Sequence, residues 1–434
     1  MQAKPLLRRM FGRTLEALDV TAAVRGAVRC DGSNLYAGGW HAELRAGEVR
    51  VIAVGKAAHA MLDGLCARIP ATIRARGIVA CPTMPPAARD AFEYYVAGHP
   101  APNQESLNAG RAALALAREA AESPLVVLLS GGGSALMEAP LLPGLSLEDL
   151  QAFYRALVTC GASIVEINAV RKHTSAVKGG RLAQAAAPAP VLTLAVTDVP
   201  AGQESALASG PTLPDPTRGS DVAEIMAKYR LAEKFPRALA DWLAHGDVPE
   251  TPKPGDAAFA RAQFCCVLGL HELFHNAHRV AQSEDCEAFC DNTTDDWPVE
   301  KAAEYLLGQL EELRVANPGK HVALIADGEL SSAVTGSGIG GRNAAFVLAC
   351  ARRIAGRKIA VLSCGTDGID GNSPAAGAVA DGETLARAEA AGMDSGDYFR
   401  RSDAYSFFAA LDDAVVTGPT GNNLRDLRIL LAWP

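Results

Sequence analysis

The chain has 434 residues, of which 49% are hydrophobic and 21% are charged, and its formal net charge at pH 7 is −8. This composition is typical of a globular protein, and the length indicates two domains rather than one core. The acidic balance argues against a nucleic-acid partner, and the apolar stretches are too short to span a bilayer. Ten scattered cysteines without regular spacing, and an amino terminus without a secretory pattern, favour a cytoplasmic location.

One unit recurs along the chain: an apolar run of about five to seven residues, a glycine-rich turn and a helix-like segment. It occurs at VRVIAVGKAAHAMLDGLCARI, PLVVLLSGGGSALMEAP, APVLTLAVTDVP, KHVALIADGEL and KIAVLSCGTDGIDGNS. This alternation predicts α/β domains with mainly parallel sheets, which bind ligands at the carboxyl ends of their strands. The weakly patterned stretch from Leu213 to about Asp256 is the predicted linker. We expect an N-terminal Rossmann-like domain over residues 1–235 and a C-terminal α/β domain over residues 236–434.

Two glycine turns in the N-terminal half are candidate anion sites. The segment SGGGS has three consecutive glycines before a helix-like segment, so its N–H groups can approach a phosphate closely; a tight strand-to-helix turn is the alternative. Its residues are Ser130, Gly131, Gly132, Gly133 and Ser134. Lys56 follows the apolar run VRVIAV, where its ammonium can lie against phosphate oxygens, although this residue alone favours a solvated lysine that opens a helix.

A basic segment, NAVRKHTSAVKGGRLA, spans residues 168–183. Arg171 and Lys178 are seven residues apart, which predicts that they share one helix face. The cluster either faces an anion or is a solvated helix face, and the residues alone favour the solvated face. Farther along, Asp198 follows the apolar run VLTLAVT and is a candidate metal ligand or base for a hydroxyl group.

The segment HELFH, residues 271–275, has the H-E-x-x-H pattern of zinc peptidases, in which two histidines hold zinc and the glutamate activates water. The position of a metzincin third ligand is Ala281, although acidic residues such as Glu300 follow downstream. No other segment has a peptidase pattern. We therefore predict that HELFH is the surface of an ordinary amphipathic helix.

Two loops in the C-terminal half carry further candidates. In TGSGIGGRN, Gly336, Gly338 and Gly341 fit the weak pattern G-x-G-x-x-G, and Arg342 can bind a phosphoryl group or a carboxylate; an ordinary glycine turn is the alternative. In GTDGIDG, Asp367 and Asp370 follow an apolar run. Aspartates there can hold Mg²⁺ on nucleotide phosphates or can stabilise the turn itself, and these residues favour neither reading.

Several of these segments together resemble one family. VIAVGKAA, LLSGGGSAL, NAVRKHTSAVKGGRLA, ALASGPTLPDPT, GSGIGGRN, GTDGIDG and TGPTGNNLRDL occur in the order typical of MOFRL-type glycerate 2-kinases. Some members of that family are called hydroxypyruvate reductases. The resemblance runs from the first helix to the end of the chain and places a MOFRL region at about residues 320–430. It implies phosphorylation of the C2 hydroxyl of D-glycerate to 2-phosphoglycerate, with ATP and Mg²⁺, on two α/β domains with a cleft between them.

The resemblance also implies roles for single residues. The family's important lysine and arginine correspond to Lys56 and Arg342, which we expect to act in catalysis with Asp198. Nucleotide-binding candidates come from both glycine loops, and the sequence leaves open which loop binds the nucleotide: Ser130, Gly131, Gly132, Gly133, Ser134, Gly338, Gly340 and Gly341. Substrate-binding candidates are Arg171, Lys178, Asn343 and Asp367. Asp198 and Asp367 are the candidate Mg²⁺ ligands.

The sequence departs from the family pattern at three positions. Ala344 and Ala345 replace the polar pair that usually follows GGRN, and Pro374 replaces an aspartate. If the GGR turn reaches the acid, these alanines predict a roomier and less polar pocket. A nicotinamide-dependent hydroxypyruvate reductase and a non-catalytic protein that binds phosphate ligands stay as alternatives. We expect a small hydroxy acid and a nucleotide as partners; the residues do not define an oligomeric state.

Overall fold

The computed structural model describes residues 2–44, 47–120, 123–197, 199, 202–246, 248–422 and 424–434. By internal contacts the chain divides into two compact units. Residues 20–268 form the first, which we call the parallel-sheet unit, and residues 1–19 with 269–434 form the second, the mixed-sheet unit. None of the described helices has the length and apolar composition that crossing a bilayer requires.

The chain begins with α1 (Ala3–Ala17), which belongs to the mixed-sheet unit, and then enters the parallel-sheet unit. The elements of the parallel-sheet unit are α2 (Val20–Ala27), β1 (Val28–Cys30), β2 (Asn34–Ala37), β3 (Trp40–Glu43), β4 (Glu48–Val54), α3 (Ala58–Cys66), β5 (Arg74–Cys81), β6 (Phe92–Val96), α4 (Gln104–Arg118), β7 (Leu125–Leu129), α5 (Gly133–Leu136), α6 (Leu147–Thr159), α7 (Ile164–Thr174), α8 (Arg181–Ala186), β8 (Val191–Val196), α9 (Gly219–Lys228), α10 (Arg237–His245) and β9 (Ala262–Leu268). Short 3₁₀ segments occur at Glu204–Ser209, Leu231–Glu233 and Ala257–Phe259.

The main sheet of the parallel-sheet unit has the strand order β6-β5-β4-β7-β8-β9, and every neighbouring pair is parallel. Strands β7 and β8 are buried along their whole length, which explains their continuous apolar sequences. Strands β1, β2 and β3 form a separate antiparallel meander. The predicted parallel α/β domain is confirmed, and the carboxyl ends of its strands lie along one edge of the sheet.

The elements of residues 269–434 are α11 (Leu270–Ser283), β10 (Cys286–Asp291), α12 (Val299–Ala316), β11 (His321–Asp327), α13 (Arg342–Ile354), β12 (Ile359–Gly365), β13 (Gly377–Asp381), α14 (Thr384–Ala390), α15 (Ser395–Arg400), α16 (Ala404–Ala410), β14 (Ala414–Val415) and β15 (Asp426–Ala432). Their sheet has the order β10-β11-β15-β12-β13-β14. Helices α12 and α13 pack on this sheet through an apolar core that includes Leu306, Phe346 and Val347.

The second α/β domain is confirmed, but the prediction that its strands are mainly parallel is wrong. Of the described strand pairs in this sheet, β10 and β11 alone are parallel, and β15 is antiparallel to both of its neighbours, β11 and β12. Strand β15 comes from the end of the chain and is inserted between two strands that a simple β-α-β succession would place side by side. Strands β11 and β12 still run in the same direction, so the loops that follow them lie at one edge of the sheet.

The predicted division of the chain differs from the observed one at both ends. Residue 235 lies inside the parallel-sheet unit, because β9 pairs in parallel with β8 and completes that sheet. The stretch 213–256 is therefore part of this unit and not a linker. Helix α1 joins the mixed-sheet unit, where Lys4 contacts Asp413 at 2.7 Å and Arg9 contacts Glu284 at 2.8 Å. The predicted cleft between the domains stays a prediction.

Candidate functional site

The Lys56 turn and the SGGGS loop meet at one edge of the parallel sheet. Strands β4 and β7 are neighbours, with Val54 opposite Leu129, so the residues that follow them adjoin. The Lys56 N–H donates to the Gly131 carbonyl (3.0 Å), and the Ser130 N–H donates to the Val54 carbonyl (2.9 Å). A Cβ atom on Gly55 would lie 2.1 Å from the Ser130 hydroxyl oxygen, so this close approach requires glycine. Two candidates that the sequence indicated separately thus form one cluster.

The SGGGS loop presents a row of free hydrogen-bond donors. Among the described residues, no protein acceptor takes the backbone N–H groups of Gly131, Gly132, Gly133 or Ser134. Gly132 has a φ of 87°, a conformation that residues with a side chain rarely adopt. Successive free N–H groups in such a turn form a concave site for a phosphate or a carboxylate. The loop therefore has the geometry of the predicted anion cradle.

His99 lies beside this loop, and the sequence analysis missed it. Its ring carbon Cδ2 is 3.1 Å from the position of a Cβ atom on Gly132. Burial lowers the pKa of His99, and the charge of Lys56 lowers it further, so the imidazole is mainly neutral at pH 7. His99 follows β6, whose carboxyl end lies at the same sheet edge. The segment Phe92–Val96 was not among the predicted strands, so the sequence analysis did not draw attention to the histidine that follows it.

The basic segment is buried, which corrects the expectation of a solvated helix face. Helix α7 ends at Thr174, so Lys178 lies beyond it and does not share a helix face with Arg171. The Lys178 ammonium, 1% exposed, forms an ion pair with Glu138 at 2.6 Å. Lys172 forms a second ion pair with Asp215 at 3.2 Å. The charges of both lysines are therefore balanced inside the protein.

Arg171 differs from these two lysines. Among the described residues, no carboxylate lies within ion-pair distance of its guanidinium, and its buried Nε has no hydrogen-bond partner. The guanidinium lies 4.8 Å from the centre of the Tyr154 ring, and the Tyr154 hydroxyl oxygen lies 2.7 Å from the Ser134 carbonyl oxygen. Tyr154 therefore connects Arg171 to the SGGGS loop. Asp198, the third catalytic candidate, lies outside the described residues.

A cavity of about 1010 Å³ lies in the mixed-sheet unit. The loops after β11 and β12, together with parts of α12, α13, α15 and α16, surround it. Its volume is at the upper end of the range for small-molecule sites and exceeds what a three-carbon acid needs. The cavity brings together six predicted site residues: Gly338, Gly340, Gly341, Arg342, Asn343 and Asp367.

Two carboxylates hold Arg342, the first residue of α13. Its Nε donates to Asp426 Oδ2 at 2.5 Å and its Nη2 to Asp426 Oδ1 at 3.3 Å, while Nη2 also lies 2.9 Å from Glu329 Oε1. Burial alone would lower the pKa of Arg342, but the contacts with Asp426 and Glu329 raise it above its ordinary value. Neither acidic partner was singled out in the sequence, because one precedes the glycine loop and the other opens β15.

Asp370 caps the amino terminus of α13. Its Oδ1 accepts from the Asn343 N–H at 3.0 Å, and its Oδ2 accepts from the Ala344 N–H at 2.9 Å. Burial raises the pKa of Asp370 to about 6, despite these two hydrogen bonds. The Asn343 side chain, 1% exposed, contacts Asp370 and accepts from Ser363 Oγ at 2.5 Å. Asn343 is thus engaged in supporting the loop, which does not favour its predicted role in substrate binding.

The second glycine loop does not present the expected row of free donors. The Gly338 N–H donates to the Arg401 carbonyl at 3.1 Å, and the Gly340 N–H donates to the Asn372 side chain at 2.8 Å. A Cβ atom on Gly341 would lie 2.2 Å from Asp370 Oδ1. Close packing therefore explains these glycines, and the loop differs in this from the SGGGS loop with its row of free N–H groups.

Asp367 lines the cavity and is partly exposed. Its Oδ1 accepts from the Ile369 N–H at 3.0 Å, so Asp367 stabilises its own turn, and the Mg²⁺ reading of GTDGIDG stays a prediction. Within the described residues no group of three or more His, Cys, Asp or Glu side chains is arranged to hold a metal ion. Mg²⁺ on a nucleotide needs fewer protein ligands, because phosphates and water supply the rest. Asp367 fits that requirement as a single ligand.

The three departures from the family pattern occupy different environments. Ala344 is buried in the core of the mixed-sheet unit, Ala345 lines the cavity, and Pro374 is exposed. Of the two alanines, only Ala345 can change the size of this cavity.

HELFH lies on α11, and His271 and His275 are exposed on the outer face of that helix. The interpretation of HELFH as a helix surface is confirmed.

Comparison with known proteins identifies two family regions. Residues 6–244 match a family described as a domain of unknown function, DUF4147, and residues 322–426 match the MOFRL family. A protein of Thermotoga maritima named D-glycerate 2-kinase is 35% identical over 89% of this chain and 91% of its own length. A protein of Agrobacterium vitis named putative hydroxypyruvate reductase is 34% identical over 99% of this chain and 95% of its own length.

The fold is also similar to a solved structure. A crystal structure of a glycerate kinase from Thermotoga maritima superposes with a TM-score of 0.84 at 32% sequence identity, and the match covers 99% of each chain. The likeness thus extends over both units, as the order of the sequence motifs predicted.

Proposed function

This chain belongs to the MOFRL-type glycerate kinase family, and from that membership we propose that it is an ATP-dependent glycerate 2-kinase. The reaction transfers the γ-phosphoryl group of ATP to the C2 hydroxyl of D-glycerate and gives 2-phosphoglycerate and ADP. The observation that supports it best is the row of free N–H groups from Gly131 to Ser134 beside Lys56. Phosphoryl transfer depends on positioning and charge neutralisation, and this cluster provides both.

Each cationic residue has a distinct role in this proposal. Lys56 and Arg342 supply positive charge for the transferring phosphoryl group. Arg171 takes the carboxylate of the acid, because its guanidinium has no carboxylate partner among the described residues, whereas the charge of Lys178 is neutralised by Glu138. The free N–H groups of the SGGGS loop bind phosphate oxygens of the nucleotide.

Magnesium is the cofactor that we propose with ATP. Asp367 would hold it as one protein ligand, and Asp198 stays a candidate second ligand or a base for the C2 hydroxyl. When bound, the ion neutralises charge on the phosphate oxygens. This chain's own contribution at that point is a carboxylate already fixed by the Ile369 N–H.

The alternative is a hydroxypyruvate reductase, because the Agrobacterium vitis relative is named so. One purified sample decides between the two activities. ADP release is measured with D-glycerate, ATP and Mg²⁺, and phosphorus NMR then locates the phosphate on C2 or C3; NADH oxidation with hydroxypyruvate is measured in parallel. We expect glycerate-dependent ADP release and a C2 phosphate. NADH oxidation alone would identify a reductase, and neither activity would favour a non-catalytic binding protein.

A panel of hydroxy acids tests the substrate range. Ala345 leaves space in the cavity that a longer polar residue would fill. If this cavity holds the acid, we expect turnover of D-glycerate together with larger or differently substituted 2-hydroxy acids, compared by kcat/KM. Strict selectivity for D-glycerate would indicate that Ala345 lies outside the acid site.

A further inference from the structure

Arg342 has two carboxylate partners of very different character. Asp426 binds two of its nitrogens side by side, and the Asp426 side chain is only 3% exposed. Glu329 contacts Nη2 at 2.9 Å, and its side chain is 45% exposed. A two-point contact with a buried carboxylate fixes the guanidinium plane, whereas an ion pair with an exposed carboxylate is weaker and exchanges more readily.

The positions of the two acids in the fold support this difference. Asp426 opens β15 and lies opposite Gly365, the last residue of β12, so the sheet itself fixes its backbone. Glu329 lies in the loop after β11. Arg342 lines the cavity of about 1010 Å³, and neither acid is among its described lining residues. Of these three described residues, Arg342 is thus the one that lines the cavity.

We propose that Asp426 is the positioning residue that orients Arg342, and that Glu329 is a temporary counter-ion that a phosphoryl group of the nucleotide displaces. This inference rests on the proposed function, since it takes the anion at Arg342 to be a phosphoryl group. The negative charge of Glu329 competes with the incoming phosphate for the same nitrogen. Removing that charge favours nucleotide binding, whereas removing the charge of Asp426 disturbs the geometry of Arg342.

Replacing Glu329 should therefore improve nucleotide binding, whereas replacing Asp426 should slow turnover. A purely structural role of the two acids does not produce this difference. In Glu329→Gln, the KM for ATP should fall by about two- to fivefold, as expected for the loss of one exposed competing ion pair. Glu287→Gln is the matched control, because Glu287 is an equally exposed carboxylate paired with Lys320 on the same sheet. It removes the same charge from the unit and should leave the KM unchanged. An unchanged or higher KM in Glu329→Gln overturns the displacement.

The Asp426→Asn variant tests positioning. Its kcat should fall by on the order of a hundredfold with a smaller change in the KM for ATP, because a misplaced guanidinium stabilises the transition state poorly. Asp426→Glu keeps the negative charge but shifts its position. Its kcat should therefore lie between the values of the wild type and of Asp426→Asn. Wild-type kcat in a folded Asp426→Asn protein overturns the positioning role. If Asp426→Asn does not fold, Asp426→Glu decides by the same criterion.

A binding measurement separates this inference from the proposed function. If the wild-type protein does not turn over D-glycerate, the proposed function fails. The displacement is then decided by the Kd for a non-hydrolysable ATP analogue with Mg²⁺, which keeps the γ-phosphoryl group, measured by calorimetry on wild type, Glu329→Gln and Glu287→Gln. Tighter binding in Glu329→Gln alone supports the displacement. Equal values in all three proteins, or no binding by the wild type, overturn it.

Discussion

Lys178 and Arg171 lie close in the sequence, but the structure assigns them different tasks. The buried Lys178–Glu138 pair also includes the Tyr154 hydroxyl, which donates to Glu138 at 2.5 Å. Replacing Lys178 by methionine would leave Glu138 buried with neutral donors, which are the Tyr154 and Ser175 hydroxyls and the Ala139 N–H. We expect Lys178→Met to lower the free energy of unfolding by about 3–5 kcal/mol, measured by urea denaturation. Lys228→Met, which breaks the exposed pair with Glu166, is the control and should change stability little.

Arg171 should behave in the opposite way. Since no described carboxylate neutralises it, Arg171→Met should fold, and the loss of charge-assisted hydrogen bonds should raise the KM for D-glycerate by about tenfold or more. Arg171→Lys keeps the charge without the two-point geometry and should give an intermediate KM. The measurement is steady-state kinetics with D-glycerate as the varied substrate. An unchanged KM in Arg171→Met would remove this residue from the acid site.

Lys56 offers the most direct test of the anion cradle. Lys56→Ala should lower kcat by on the order of a hundredfold or more, because it removes charge that stabilises the transferring phosphoryl group. The backbone contact of Lys56 with Gly131 does not involve its side chain and is kept in the variant. Equal melting temperatures and kcat values for Lys56→Ala and wild type would end the catalytic assignment.

The start of helix α13 shows what local sequence reveals and what it conceals. The segment GGRN predicts a helix that begins after glycines, and α13 does begin at Arg342. The side chain that caps this helix is Asp370, which comes from the loop after the next strand. Pairing of that kind joins distant parts of the chain, so no local pattern indicates it. The local sequence therefore indicates the candidate residues of the loop, but it does not indicate which side chains hold the others in place.

The buried Asp370 predicts a pH dependence of stability. Its pKa is about 6 in the folded protein, above the ordinary 3.8, so the folded state binds this proton more tightly than the unfolded state. Stability contributed by Asp370 is therefore full below about pH 4 and is lost as the pH rises through 6. Between pH 5 and pH 7 the wild type should lose about 1 kcal/mol more than Asp370→Asn, measured by urea unfolding at each pH. Parallel pH profiles would contradict the raised pKa.

The two sheets differ in how far the sequence predicts them. In the parallel-sheet unit each continuous apolar run becomes a buried strand, and the glycine turns fall at the carboxyl ends as expected. In the mixed-sheet unit the runs also become strands, but the apolar pattern of DLRILLA carries no information on strand direction. Because β15 pairs antiparallel between β11 and β12, the order of that sheet depends on contacts between residues about 60 to 110 positions apart.

The molecule as a whole has a nested arrangement that the linker analysis could not detect. The chain contributes α1 to the mixed-sheet unit, builds the parallel-sheet unit from residues 20–268, and then completes the mixed-sheet unit. Composition marks loops, but it does not mark which sheet a strand or helix joins. The Pro-rich stretch near residue 250 looked like a boundary for that reason, although β9 follows it and belongs to the parallel sheet.

The nested arrangement predicts that the two units depend differently on chain continuity. Residues 20–268 are contiguous and contain their whole main sheet, so this segment should fold alone. Residues 269–434 lack α1, whose side chains Leu6, Leu7, Met10 and Phe11 are at most 7% exposed. Burial of four large apolar side chains contributes up to roughly 6–12 kcal/mol, which is comparable to the net stability of a typical domain of about 5–15 kcal/mol.

We therefore expect residues 269–434 alone to be unfolded or aggregated. A polypeptide that joins residues 2–19 to residue 269 through a flexible glycine-serine linker should instead fold cooperatively. Circular dichroism during urea titration measures both, and a linked polypeptide with Leu7→Asp and Phe11→Asp is the control that keeps the chain length but loses the apolar face of α1. Cooperative unfolding of residues 269–434 without α1 would show that the helix covers the unit without being needed for its fold, because the remaining core of α12, α13 and the sheet would then suffice.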